Sequence, residues 1–135
     1  MTRATHVRPS LEADGWVLVS AEERHAAHPG TFQIPPRSDR AALARGVAAK
    51  LLFHIETKEA GGVVDRGIDR MWVIVMTVTP GGYLGVLDND PGYAERLNLR
   101  EGDVIAFGPE HVAAIDHPPM DYVVRKYGAS CLENE

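Results

Sequence analysis

The hydrophobic positions of this chain change period several times, and each change marks an element. Gly15 to Val19 (GWVLV) is a short apolar run that predicts a strand. Ser20, with Glu23 three residues on, has the spacing of a capping box and predicts a brief helix through about Ala27, which Pro29-Gly30 ends. Thr31 to Ser38 reads as an extended connector, because Ile34 and Pro35 each precede a proline and are pushed out of the α region. Met71 to Val78 is apolar at both phases of a period-2 pattern, which predicts a central strand covered on both faces. Pro80-Gly81-Gly82 then gives a tight turn, and Tyr83 to Leu87 returns as the partner strand. Asp103–Phe107 and Val112–Ile115 predict two more short strands. After Pro118-Pro119 the period becomes helical: Met120, Val123, Val124 and Tyr127 fall on one face, and Gly128 lies just beyond the end.

Residues 41–56 (AALARGVAAKLLFHIE) fit two patterns. Alanine, leucine and arginine favour a helix. Gly46 interrupts it, however, and Leu51, Phe53 and Ile55 alternate with Leu52, His54 and Glu56. The reading adopted is a turn to Gly46 and then a strand from about Ala49 to Thr57. A faint internal echo supports it: Leu43-Ala-Arg-Gly46 and Leu99-Arg-Glu-Gly102 both lead into an apolar strand, although Val47 stands where the second copy has Asp103. Lys58 to Asp69 reads as a polar connection within a long hairpin. Short strands, glycine turns and a helix near each end predict an α+β domain. Its expected centre is a strongly curved, barrel-like antiparallel β-sheet with a short N-terminal helix and a C-terminal helix. Residues 1–14 are expected to be a flexible lead-in, 15–128 a single domain and 129–135 a tail.

Composition narrows the function classes. The chain has 135 residues, enough for one core. Its longest uncharged apolar run, Met71–Val78, is well short of the roughly 20 residues a membrane-spanning helix needs. No apolar signal-peptide core is visible near Met1, and a single cysteine, Cys131, fits a reducing compartment, so the expected location is the cytoplasm. Nineteen acidic against fourteen basic residues give a formal charge of −5, which argues against nucleic acid; solubility is the first reading of that charge, and recognition of a basic partner the second.

Several segments in order resemble one known group. Met71-Trp72-Val73-x-Val75, Gly85-Val86-Leu87-Asp88-Asn89-Asp90-Pro91, Leu99-x-x-Gly102-Asp103-x-Ile105-x-Phe107 and His111-Val112-x-x-Ile115 together resemble the YegJ-like family of small bacterial domains of unknown function. Phe32-x-Ile34-Pro35, Lys50-Leu51-Leu52-Phe53-x-Ile55 and Pro118-Pro119-x-x-Tyr122 to Tyr127-Gly128 extend the likeness over most of residues 16–128. The resemblance implies a bacterial source, a fold type and a neighbourhood of immunity proteins from toxin systems. It implies no activity.

Candidate chemistry is sparse. Asp88 and Asp90 alternate as calcium ligands do, but Pro91 follows, and neither Glu95 nor Glu101 has the spacing of the closing bidentate residue. Turn capping is the better reading of Asp88-Asn89-Asp90. Six histidines are scattered without the convergent three or four ligands that zinc requires, and Cys131 follows the last predicted element, away from any base. Trp72 is either a plug at one end of the barrel or a binding aromatic, and Trp16 either core or interface. The expectation is therefore a non-enzymatic, immunity-like protein-binding module with no metal and no cofactor. Its candidate binding surface is Trp72, Asp88, Asn89, Asp90 and His111. The alternative is a small-ligand or metal-binding domain with its site near the Asp88-Asn89-Asp90 corner.

Overall fold

The computed structural model describes residues 4–59, 61–92 and 97–128; the expected tail at 129–135, Cys131 and Glu95 lie outside them. The elements are β1 (Thr5–His6), β2 (Trp16–Val19), α1 (Ala21–Ala27), α2 (Arg37–Arg40), β3 (Ala48–Glu59), β4 (Gly62–Thr79), β5 (Gly82–Leu87), β6 (Val104–Phe107), β7 (Val112–Asp116) and α3 (Met120–Tyr127). Seven strands form one curled mixed sheet in the order β1-β6-β5-β4-β3-β2, with β7 also pairing β3. The result is an α+β fold on a half-barrel. Among the described residues no helix is long and apolar enough to cross a membrane.

Alternation along the strands sorts residues between the two faces. Leu51, Phe53 and Ile55 of β3 and Met71, Val73 and Val75 of β4 point to the concave side. There they pack with Trp16, Leu43, Leu87, Leu99, Ile105 and Phe107 as the main core. On the convex side, Ala48, Ile74 and Val86 pack with Val123 of α3, and Leu52 with Ala21 of α1. The expectation that β4 is covered on both faces follows directly, since the main core lies below it and α3 above. Residues 41–56 resolve as a turn followed by strand β3, as the Leu51–Glu56 alternation indicates.

The echo around Gly46 and Gly102 is a structural repeat. Leu43 and Leu99 are both buried in the main core, and both glycines have positive φ, 91° and 94°. Gly46 N donates to Val75 O at 2.8 Å, and Val75 N returns a bond to Val47 O at 2.9 Å. Gly102 N donates to Leu87 O at 2.9 Å, and Leu87 N returns one to Asp103 O at 2.8 Å. In each copy a glycine in a conformation that side chains disfavour reverses the chain, buries the leucine and launches a strand.

Four expectations need correction. The stretch 58–69 does belong to a long hairpin, as expected, but the connection is shorter than 58–69: β3 runs to Glu59 and β4 starts at Gly62, so most of it is paired strand. Beyond Ile55, where β2 ends its pairing, β3 and β4 continue as a two-stranded arm. The lead-in is not featureless, because Thr5–His6 pair in parallel with Val104–Ile105, making the sheet mixed rather than wholly antiparallel. The Thr31–Ser38 connector gives way at its end to α2, which starts after Pro36, a residue whose fixed φ suits a helix entrance. Finally, the buried residue of α3 is Val123, whereas Met120 is 56% exposed because it precedes the sheet contact.

Buried polar groups tie the outer segments down. Asp103, 7% exposed, accepts from His6 Nε2 at 2.9 Å, Arg100 N at 3.0 Å and Ala4 N at 3.3 Å. This carboxylate latches β1 to the edge of β6. Arg40 is also buried; it donates to Pro35 O, Glu22 and Pro109 O, and so staples α2 to α1 and to the β6–β7 connection. The Tyr83 hydroxyl donates to Arg40 O at 2.7 Å and accepts from Leu43 N at 3.2 Å, which fixes the segment leading to Gly46.

Candidate functional site

The predicted surface residues divide between two places. Asp88 follows β5, and its own N–H extends the ladder by donating to Trp72 O at 2.9 Å. Its side chain points to the convex side under α3. There one carboxylate oxygen accepts from the Tyr122 hydroxyl at 2.8 Å, and the other accepts from the Tyr127 hydroxyl and from Lys126 Nζ at 2.8 Å. Lys126 also reaches Glu101 at 2.7 Å. Burial alone would raise the Asp88 pKa, but Lys126, Tyr127 and Tyr122 outweigh it and hold the carboxyl below its ordinary value. Bonds to Asp88 and then Glu101 raise Lys126. Tyr127 is raised first by burial and then by its bond to Asp88. Asp88 is therefore the docking post of an eight-residue helix, too short to persist alone.

Asn89 and Asp90 are turn residues of different reach. Asn89 Oδ1 accepts from Trp72 N at 2.5 Å, closing the corner onto β4. Asp90 Oδ1 accepts from Gly92 N at 3.0 Å, the local capping the sequence suggests, and Asp90 is exposed. Trp72 is no barrel plug. Its neighbours Met71 and Val73 take the concave face, so the period of two places Trp72 on the convex side, half-buried against the α3 cluster, with Lys50 Nζ 5.0 Å from its ring centroid. Trp16 is core, fully buried against His6 and Phe53, and its indole N–H donates to Asn98 O at 2.9 Å.

His111 belongs to the other end of the molecule. It closes a turn at Pro109–His111 that packs against α1 and α2, and its Nδ1 accepts from Gly108 N at 3.0 Å. Burial lowers its pKa, while Glu110 and Glu22 work in the opposite direction. Trp72, Asp88 and Asn89 thus form one cluster that His111 does not join. His25 and His54 are similarly engaged, His25 Nδ1 with Phe32 O at 2.6 Å and His54 Nε2 with Glu56 at 3.1 Å. Among the described residues no group of three or more His, Cys, Asp or Glu is placed to hold a metal ion.

Two features escaped the sequence reading. Tyr122 and Lys126 stand four apart on α3, a spacing that puts both on one face, yet nothing in the sequence indicates that Asp88 is their target. The second is an open groove of about 650 Å³ between the α2–β3 segment and β7. Leu43, Val47 and Ile115 give it an apolar lining beside Pro35 and Ala42, and the exposed Asp39 and His117 supply its polar groups. Residues so far apart in sequence leave no local signal of such a groove.

Comparison with known proteins gives no relative: no family model, no curated protein and no solved structure matches this chain.

Proposed function

We propose that this chain is a non-catalytic protein-binding module of a bacterial cytoplasm. In this reading it acts by stoichiometric contact, as the immunity-like neighbourhood of the YegJ-like resemblance suggests. The observation that carries the proposal is the commitment of the side chains best suited to chemistry. Asp88 is filled by two tyrosine hydroxyls and an ammonium, and Asp103 by an imidazole and two amides. A general base must reach a substrate proton, and the donors that hold these two carboxylates all belong to the fold itself. A cation at Asp88 would have to displace Lys126, so the metal-binding alternative draws little support from the corner. The chain as a whole carries a formal charge of −5, a sign suited to meeting a basic protein.

The test is capture under native conditions with the full chain as bait, followed by size-exclusion chromatography with light scattering on the eluate. A partner co-eluting at fixed stoichiometry is expected. Elution of the chain alone from lysates of its own source, at every salt concentration tried, refutes the reading.

A further inference from the structure

Resting on that protein-binding reading, we propose where the partner docks and what chemistry it brings. The groove between the α2–β3 segment and β7 receives an apolar side chain of the partner, and Asp39 pairs with a lysine or arginine beside it. The volume of about 650 Å³ falls in the range of binding pockets rather than packing defects. Val47 and Ile115 are only half-buried there, packed on the main core from one side and facing the groove from the other. Their backbones are fixed by the Gly46 repeat and by the pairing of β7 with β3, so the lining is preformed.

Charge selects the occupant. The two arginines of α2, Arg37 and Arg40, both bond Glu22 on α1. Asp39, on the same short helix, is left without such compensation: among the described residues no hydrogen bond or ion pair engages the side chain of Asp39 or His117. The groove therefore presents an open carboxylate beside an apolar lining, on a chain whose net charge is −5. A small metabolite is oriented by a few polar groups held in fixed positions, whereas the two polar side chains of this groove, Asp39 and His117, are both exposed and held by no hydrogen bond or ion pair among the described residues. A segment of protein with a bulky aliphatic or aromatic residue next to a basic one matches both features.

Panning phage-displayed 12-residue peptides against the immobilised full chain tests this, with fluorescence polarisation on labelled copies of the enriched peptides. Enriched peptides are expected to pair Leu, Ile, Val or Phe with Lys or Arg within two positions. Ala44→Trp, which fills the groove from an exposed position, and Asp39→Lys are each expected to weaken them about tenfold. Amide shifts in the unmodified protein provide a readout independent of any variant; they are expected to cluster at residues 42–47 and 115–117. Shifts that cluster instead around Trp72 and Lys50, with both groove variants binding normally, overturn the groove and leave the protein-binding reading standing. A dimer of the chain that Ala44→Trp dissociates makes a second copy the occupant and likewise overturns the proposal. Failure of any peptide to enrich also counts against the groove, whereas the wider reading is decided separately by the co-elution experiment.

Discussion

Replacing Asp103 with valine gives the second repeat the residue that the first carries at Val47, and the structure sets the cost. The carboxylate accepts from one buried donor, His6 Nε2, and from the amides of Arg100 and Ala4, which belong to exposed residues and can turn to water. A bond to an ionised partner contributes about 1.5–3 kcal/mol, and orphaning a buried donor adds its own penalty. The single change Asp103→Val is therefore expected to cost about 3 kcal/mol, in the range for breaking a buried pair. His6→Val alone leaves the carboxylate its two amides and is expected to cost about 2 kcal/mol. The double variant has no orphan and is expected to return to within about 1 kcal/mol of the parent, because an apolar pair of similar shape replaces the polar one. Urea unfolding followed by tryptophan fluorescence is the assay, since Trp16 packs 5.2 Å from His6. At a slope of about 1–3 kcal/mol/M, the Asp103→Val midpoint should fall by roughly 1–3 M. Strictly additive single effects would refute the latch, as would a cost below about 1 kcal/mol for Asp103→Val.

Two further outcomes follow from the same structure. A Cβ at Gly85 would lie 2.9 Å from Ile74 O and 3.2 Å from the Phe107 ring, whereas one at Gly102 meets nothing within 4 Å and faces only the strain of φ +94°. Gly85→Ala should therefore cost about 3 kcal/mol by overpacking and Gly102→Ala about 1–2 kcal/mol; thermal melts that reverse this order would contradict the packing described. The α3 dock is expected to weaken at both ends of the pH scale. Asp88, held below its ordinary value, stabilises the fold above about pH 4, and that contribution is lost as pH falls through its folded pKa. Lys126 and Tyr127, both raised, stabilise it up to about pH 10 and lose that contribution above it. Urea midpoints measured from pH 3 to 11 should flatten at both ends in Asp88→Asn; an unchanged profile would show that Asp88 does not hold the helix.

Local pattern carried the fold much further than it carried the site. The period-2 runs of β3, β4 and β5 and the helical stripe before Gly128 are written within single segments, and each formed its element. The stretch at 58–69 misled because its glycines and charged residues read as a connection, whereas backbone pairing between β3 and β4 continues through it. The strand at Thr5–His6 was hidden for another reason: two residues carry no period, and the force holding them is a carboxylate 97 positions away. The Asp88 corner shows the same limit. Its aspartates and asparagine announce a turn, and they make one, but the partners that define Asp88 sit on a helix beginning more than thirty residues later.

The acidic residues, so divided, also fix where function can reside. Asp14, Glu22, Asp88 and Asp103 spend their charge within the molecule, on Ser10 and Asn98, on Arg37 and Arg40, on the α3 side chains, and on His6. Neutralising one of these removes a structural bond, so its effect on any partner would be confounded by loss of the fold. Asp39 and Asp116 are exposed and flank the segments that line the groove. Charge reversal there leaves every bond described for the core intact. If the net negative charge of this chain serves recognition, reversals at Asp39 and Asp116 should change association while leaving the urea midpoint near that of the parent. The conspicuous Asp88-Asn89-Asp90 corner should behave in the opposite way. That contrast separates a scaffold residue from a contact residue whatever the partner proves to be.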